Sequence, residues 1–153
     1  METFVFTIIG GIVIFISGQF ILRFIIEPAH EFKKTLAGIS YLILYNQAKL
    51  TNAHTDEEVA NEFSVKSAEV ISKSSSILCY RSIQRIFGLP PKANIIEASQ
   101  QLNWLSHGMK ESSKQFENGP SYNAKKTDFA LENSKALIKI GELLKLKTTY
   151  NEN

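Results

Sequence analysis

Residues Phe4 to Ile26 read FVFTIIGGIVIFISGQFILRFII, a nearly unbroken apolar run. At 1.5 Å rise per residue, roughly 20 apolar residues cross the hydrocarbon core of a bilayer. A soluble amphipathic helix buries one stripe and keeps a polar face, and this run is too uniform for that. It therefore predicts a transmembrane anchor over residues 1–27, with about 125 residues of soluble domain behind it. A cleaved signal peptide would carry a positive n-region, a shorter apolar core and a small-x-small cleavage site. Here the n-region is Met-Glu-Thr, and no Ala-x-Ala pattern is present after the run.

The flanks of the run set an expected orientation. Only Glu2 and the amino terminus precede it, whereas Arg23, Lys33 and Lys34 stand at or after its end. The positive-inside rule then places the amino terminus outside and the C-terminal domain in the cytoplasm, at the inner membrane. Arg23 can snorkel to the head groups.

Composition bounds the rest. With 17 basic and 15 acidic residues the net charge is +2, a balance that argues against a dedicated nucleic-acid binder. Cys79 is the single cysteine, so an intrachain disulfide and a thiolate metal cluster are excluded. A lone cysteine is expected to behave as a small buried hydrophobe. Four prolines and eight glycines interrupt the chain, and helix formers dominate.

Helical periodicity divides the chain beyond the anchor. Pro28 kinks the chain or opens a new helix at the membrane exit. Phe32, Leu36, Ile39, Leu42, Ile43 and Tyr45 predict a helix over 28–50. Tyr41 and Tyr45 form an i,i+4 pair on it, read as packing residues with hydroxyls toward water or a partner. Thr55 with Glu58 has the capping-box pattern, and Val59, Phe63, Val70 and Ile71 continue that helix. The serines of 72–76 mark either a break or a stripe for close helix approach. Residues 77–87 are helical again, with Gly88 as the C-terminal cap and Pro90-Pro91 as the stop. Asn94 with Glu97 resembles a cap opening the helix of Ile95, Ala98, Leu102 and Leu105. Glu117 to Ser121 is the clearest linker. Phe129, Ala136, Leu137, Ile140 and Leu144 mark a last helix, and residues 148–153 are expected to fray. The expectation is all-α: one transmembrane helix followed by a cytoplasmic bundle of about five helices. Its divisions are the anchor at 1–27, a helical domain at 28–116, a linker at 117–121, a C-terminal helix packed on the bundle at 122–147, and a disordered tail.

Candidate functional residues are few. Thr7, Gly11 and Gly18 fall at offsets of four and seven, and Gly10 and Ser17 form a second row. Small residues let membrane helices approach closely, and Gln19 is an amide seeking a partner within the span. These six residues predict self-association through the span. Arg81 and Arg85 are an i,i+4 pair that could contact lipid head groups, RNA or an acidic partner. Bundle surfaces carry such pairs routinely as solvated faces. Trp104 is read as core. His30, His54 and His107 are dispersed along the chain, so no metal site is expected. No phosphate loop, Gly-x-Ser-x-Gly or His-Glu-x-x-His motif is present.

Two stretches, RFIIEPAHEFKKTLAGISYLILYNQAKL and YRSIQRIFGLPPKANIIEASQQLNWLS, carry a resemblance. Together they resemble a family of small bacterial proteins with one N-terminal span and a helical cytoplasmic domain. That family has no established activity, so the resemblance implies a layout and no functional residues. A looser, architectural similarity is to the membrane-anchored accessory protein of type VI-B CRISPR systems, which implies an oligomeric pore and a role in antiviral defence. Ser17 and Gln19 would then face the pore. Arg23 and His30, with six residues between them, match the short Arg/His signature of HEPN ribonucleases, with His as acid or base and Arg on the phosphate. The spacing is common by chance. The leading expectation is a protein that is not an enzyme and needs no cofactor. Its anchor holds it in membrane lipid, and its bundle forms a homo-oligomer or docks a cytoplasmic protein.

Overall fold

A computed structural model describes residues 2–115 and 122–150. All the regular structure among them is helical: α1 (Glu2–Ile21), a π-turn (Leu22–Ile26), α2 (Glu27–Tyr45), α3 (Gln47–Thr51), α4 (Glu57–Ser75), α5 (Tyr80–Phe87), α6 (Lys92–Gln115) and α7 (Tyr122–Leu144). The expected linker at 117–121 and the end of the expected tail, 151–153, lie outside the described residues.

Pro28 stands in the first turn of α2, one of the two expected readings, and the helical run does not stop there. A single helix of 43 residues runs from Thr3 to Tyr45. Proline has no N–H, and its ring clashes with the carbonyl four residues back. Here the helix widens into a π-turn just ahead of the proline, with the Glu27 N–H bonded to the Leu22 carbonyl. Pro28 then sits in the first turn of α2, where its missing donor leaves no bond unmade. One extra residue per turn is thus how the chain passes a proline without breaking.

The first part of this helix has no protein neighbours. Every large apolar side chain from Phe4 to Ile21 is exposed, and this is one helix long and apolar enough to cross a membrane. The second part is a core helix. Ala29, Phe32, Ile39 and Ile43 are wholly buried. α4 packs against both α2 and α6, and α7 packs against α6 and α3. Where α4 meets α6 the contact is close enough for Ser67 and Ser99 to share hydrogen bonds, 2.8 Å between hydroxyls and 2.9 Å from the Ser67 hydroxyl to the Ser99 carbonyl. α4 ends at Ser75, so the serines of 72–76 mark a break, and the close approach of α4 to α6 falls at Ser67 instead.

Several local expectations are corrected. The helix from Pro28 stops at Tyr45, not Leu50, because buried Asn46 turns its amide back to the Leu42 carbonyl at 3.1 Å. Asp56, not Thr55, caps α4: its backbone is extended, and its carboxylate accepts from the Val59 N–H at 3.1 Å. Asn94 lies inside α6 and donates to the Leu143 carbonyl, while Glu97 pairs with Lys139. Cys79 is exposed and holds a left-handed backbone, φ 50°. Gly88 does end α5 in the left-handed region, φ 67°.

Residues expected to fray from Thr148 onward fold back where they are described. Thr148 is buried, and the Tyr150 hydroxyl donates to the Leu44 carbonyl at 3.3 Å. Gly141 permits this return. A Cβ there would lie 2.7 Å from the Thr148 hydroxyl and 3.1 Å from the Leu146 carbonyl oxygen.

Candidate functional site

The small residues of the span are open. Nothing lies within 4 Å of where a Cβ would stand on Gly10, Gly11 or Gly18. Thr7 satisfies its own hydroxyl by donating to the Thr3 carbonyl at 2.9 Å, so its surface is that of a small side chain. α1 is a regular α-helix, about 100° per residue, and that fixes which residues share a face. Thr7, Gly11 and Gly18 fall within an arc of about 40°, one narrow stripe. Gly10 and Ser17 form a second stripe alongside it. Gln19 lies about 160° from Ser17, so a single pore-lining stripe does not hold both.

Tyr41 and Tyr45 are not packing residues of the core. They are 67% and 73% exposed, and their rings stack on each other with centroids 5.7 Å apart. Beside them a groove of about 590 Å³ runs between α2 and α4. Gly38 and Leu42 line it along α2, and Glu58, Glu62 and Val65 line it along α4. Val65 is exposed too, so this face combines aromatic and apolar surface with two carboxylates. Trp104, expected in the core, is only half-buried and lines another surface depression with Lys135 and Lys139.

Part of the bundle's charge is paired. Glu69 accepts from Lys66 at 2.7 Å, lies 3.1 Å from Lys73, and accepts from the buried Thr35 hydroxyl at 3.1 Å. These donors, Lys66 foremost, hold its carboxyl down to about 2. Lys73 also reaches Glu31, which pairs with Lys34. Lys49 pairs with Asp56 at 2.7 Å, and this bond lowers the Asp56 carboxyl. The Tyr80 hydroxyl donates to the Pro90 carbonyl at 2.7 Å, and burial pushes its pKa up to about 12.

Arg81 and Arg85 contrast with this network: both are exposed on α5, and neither takes part in an ion pair among the described residues. Sequence reasoning singled the pair out but missed its location. α5 packs on the first turns of α2, beside the span's exit. Tyr80 meets Phe32 edge to face at 6.3 Å, and the Lys33 ammonium lies 5.8 Å from the Phe87 ring. No local signal reveals this, because it depends on a contact between distant residues.

Arg23 is exposed on the π-turn and His30 is exposed on α2. About two helical turns, roughly 10 Å, separate them along the axis. Among the described residues no three His, Cys, Asp or Glu side chains gather as a metal set. In comparison with known proteins, no family model matches this chain, and neither a curated protein nor a solved structure matches it.

Proposed function

We propose that this chain is a non-enzymatic, single-pass protein of the inner membrane. Its N-terminus lies outside. Its cytoplasmic bundle self-associates or docks a protein partner at the membrane surface. The observation that carries this is the uninterrupted helix from Thr3 to Tyr45, apolar and without neighbours in its first half and a core element in its second. Exposing such a run to water forfeits the burial of a dozen large side chains, whereas a bilayer covers all of them. The orientation is supported by α5, which adds Arg81 and Arg85 to Arg23 and Lys33 on the same side of the span.

Two surfaces suit association. The Thr7, Gly11 and Gly18 stripe is open to a second helix, and its spacing of seven fits a left-handed crossing. The Tyr41 and Tyr45 face, with its groove, suits a partner carrying an apolar and basic surface. The mass of the full-length protein in mild detergent, measured by light scattering with the detergent subtracted, tests the first surface. A discrete oligomer that dissociates in Gly11→Leu with Gly18→Leu is the expected result. An oligomer indifferent to both substitutions would show that the stripe is not its interface.

A further inference from the structure

α5 lies near the apolar N-terminal helix, its contacts reaching the early turns of α2. α5 buries Tyr80 and Ile83 and turns Arg81, Arg85 and Ile86 outward, with Ile86 75% exposed. Leu78, just ahead of the helix, is also exposed. Arg81 and Arg85 share one face of α5, about 40° apart, and Ile86 is turned about 100° from Arg85. Lys34, Lys49, Lys66 and Lys73, by contrast, are paired with Glu31, Asp56 or Glu69. No acid neutralises Arg81 or Arg85 among the described residues.

The height of α5 above the span is fixed by its contacts. Phe32, which meets Tyr80, is six residues beyond Ile26, about 9 Å along a continuous helix. The head-group layer is about 5–8 Å deep on each side of the hydrocarbon core. α5 therefore stands at the outer edge of the head-group layer, close enough for a long arginine side chain to reach phosphate. Arginines suit that height, since the guanidinium holds phosphate through charge-assisted hydrogen bonds.

We propose that α5 is an interfacial helix that binds the anionic head groups of the membrane the chain itself crosses, through Arg81 and Arg85. This rests on the membrane-anchored reading above. It gives the bundle a second attachment, so that the domain is held flat against the bilayer instead of swinging on its helix. Neutralising each arginine weakens the attachment about fivefold at low ionic strength.

The test uses the full-length protein in nanodiscs, with a fluorophore on Cys79, the sole cysteine, or on Ile86→Cys in a Cys79→Ser background. Quenching by lipids spin-labelled at the head group reports contact. With phosphatidylglycerol present, strong quenching is expected at both positions. It should fall stepwise in Arg81→Gln and in Arg81→Gln with Arg85→Gln, and it should fall in high salt. Unquenched dye at both positions in protein that has entered the discs overturns the proposal and leaves the anchor intact. Quenching equal in phosphatidylcholine alone and indifferent to the arginines overturns the recognition of anionic lipid. A chain that stays soluble and enters no disc overturns the anchor and this proposal together.

Discussion

Residues 4–26 and residues 27–45 lie on one helix, yet they solve opposite problems. In the first, Phe4 through Ile26 present apolar side chains all round, with only Ile25 touching the core. In the second, Phe32, Leu36, Ile39 and Ile43 are buried on one side, while Tyr41 and Tyr45 are exposed on the other. The two halves differ in whether a polar face exists. α2 carries Glu27, His30, Glu31, Lys33, Lys34 and Ser40, which stay wet while the apolar stripe finds α4. The span has no such division, so its covering must come from outside the chain. A helix with one apolar stripe calls for a neighbouring helix, whereas α1, with no polar face, is long and apolar enough to cross a membrane.

This comparison can be broken from the α2 side alone. Phe32 is wholly buried and touches Tyr80. Phe32→Ala should destabilise the bundle by about 3–5 kcal/mol, read as a lowered denaturation midpoint by Trp104 fluorescence. The share of protein recovered with membranes should not change. Loss of membrane association on the same substitution would mean that the two halves are not independent.

Titration separates them next, because the ion-pair network belongs to the bundle only. Glu69 falls from an ordinary 4.5 in the unfolded chain to about 2 when folded. A lowered folded pKa contributes stability in full above the unfolded value, and that contribution is lost as pH falls from 4.5 toward 2. After allowance for solvent screening the contribution is about 1–2 kcal/mol. Glu69→Gln should cost that much at neutral pH and flatten the acid limb of the stability profile. An acid limb as steep as that of the native chain would show that Glu69 does not carry it.

The smallest effect is at the returning C-terminal segment. Gly141→Ala drives a methyl into Thr148 and the Leu146 carbonyl. Overpacking of about 1–3 kcal/mol is partly offset by alanine's helix propensity, about 1 kcal/mol, for a net loss near 1 kcal/mol. Faster amide exchange confined to residues 146–150 would localise it. Exchange unchanged there would mean that the return does not depend on the glycine.

The apolar N-terminal helix was the most legible part of the sequence, because composition alone marks it as long and apolar enough to cross a membrane. The bundle helices were legible through their spacing, and the buried faces of Phe32 and Ile39, Phe63 and Val70, and Ile140 and Leu144 obey it. Details that depend on backbone choice were not. Thr55 and Asp56 are both good caps, and only the extended backbone at Asp56 separates them. A left-handed Cys79 leaves no mark in composition. Gly141 reads as an ordinary helical residue until Thr148 is placed against it. The passage through Pro28 was hidden because the π-turn that absorbs it lies upstream, in residues that read only as apolar. Of the candidate functional residues, Arg81 and Arg85 were found by spacing, but their station beside the span needed the Phe32–Tyr80 contact.

The most direct measurement is cysteine accessibility in sealed, inverted membrane vesicles. Ile14→Cys and Val65→Cys, each in a Cys79→Ser background of the full-length chain, are reacted with a membrane-impermeant maleimide. A membrane-spanning α1 predicts rapid labelling of Val65→Cys in intact vesicles, and labelling of Ile14→Cys only after denaturation in sodium dodecyl sulfate. Equal labelling of both positions in intact vesicles would contradict it, because residues 4–26 would then lie in water.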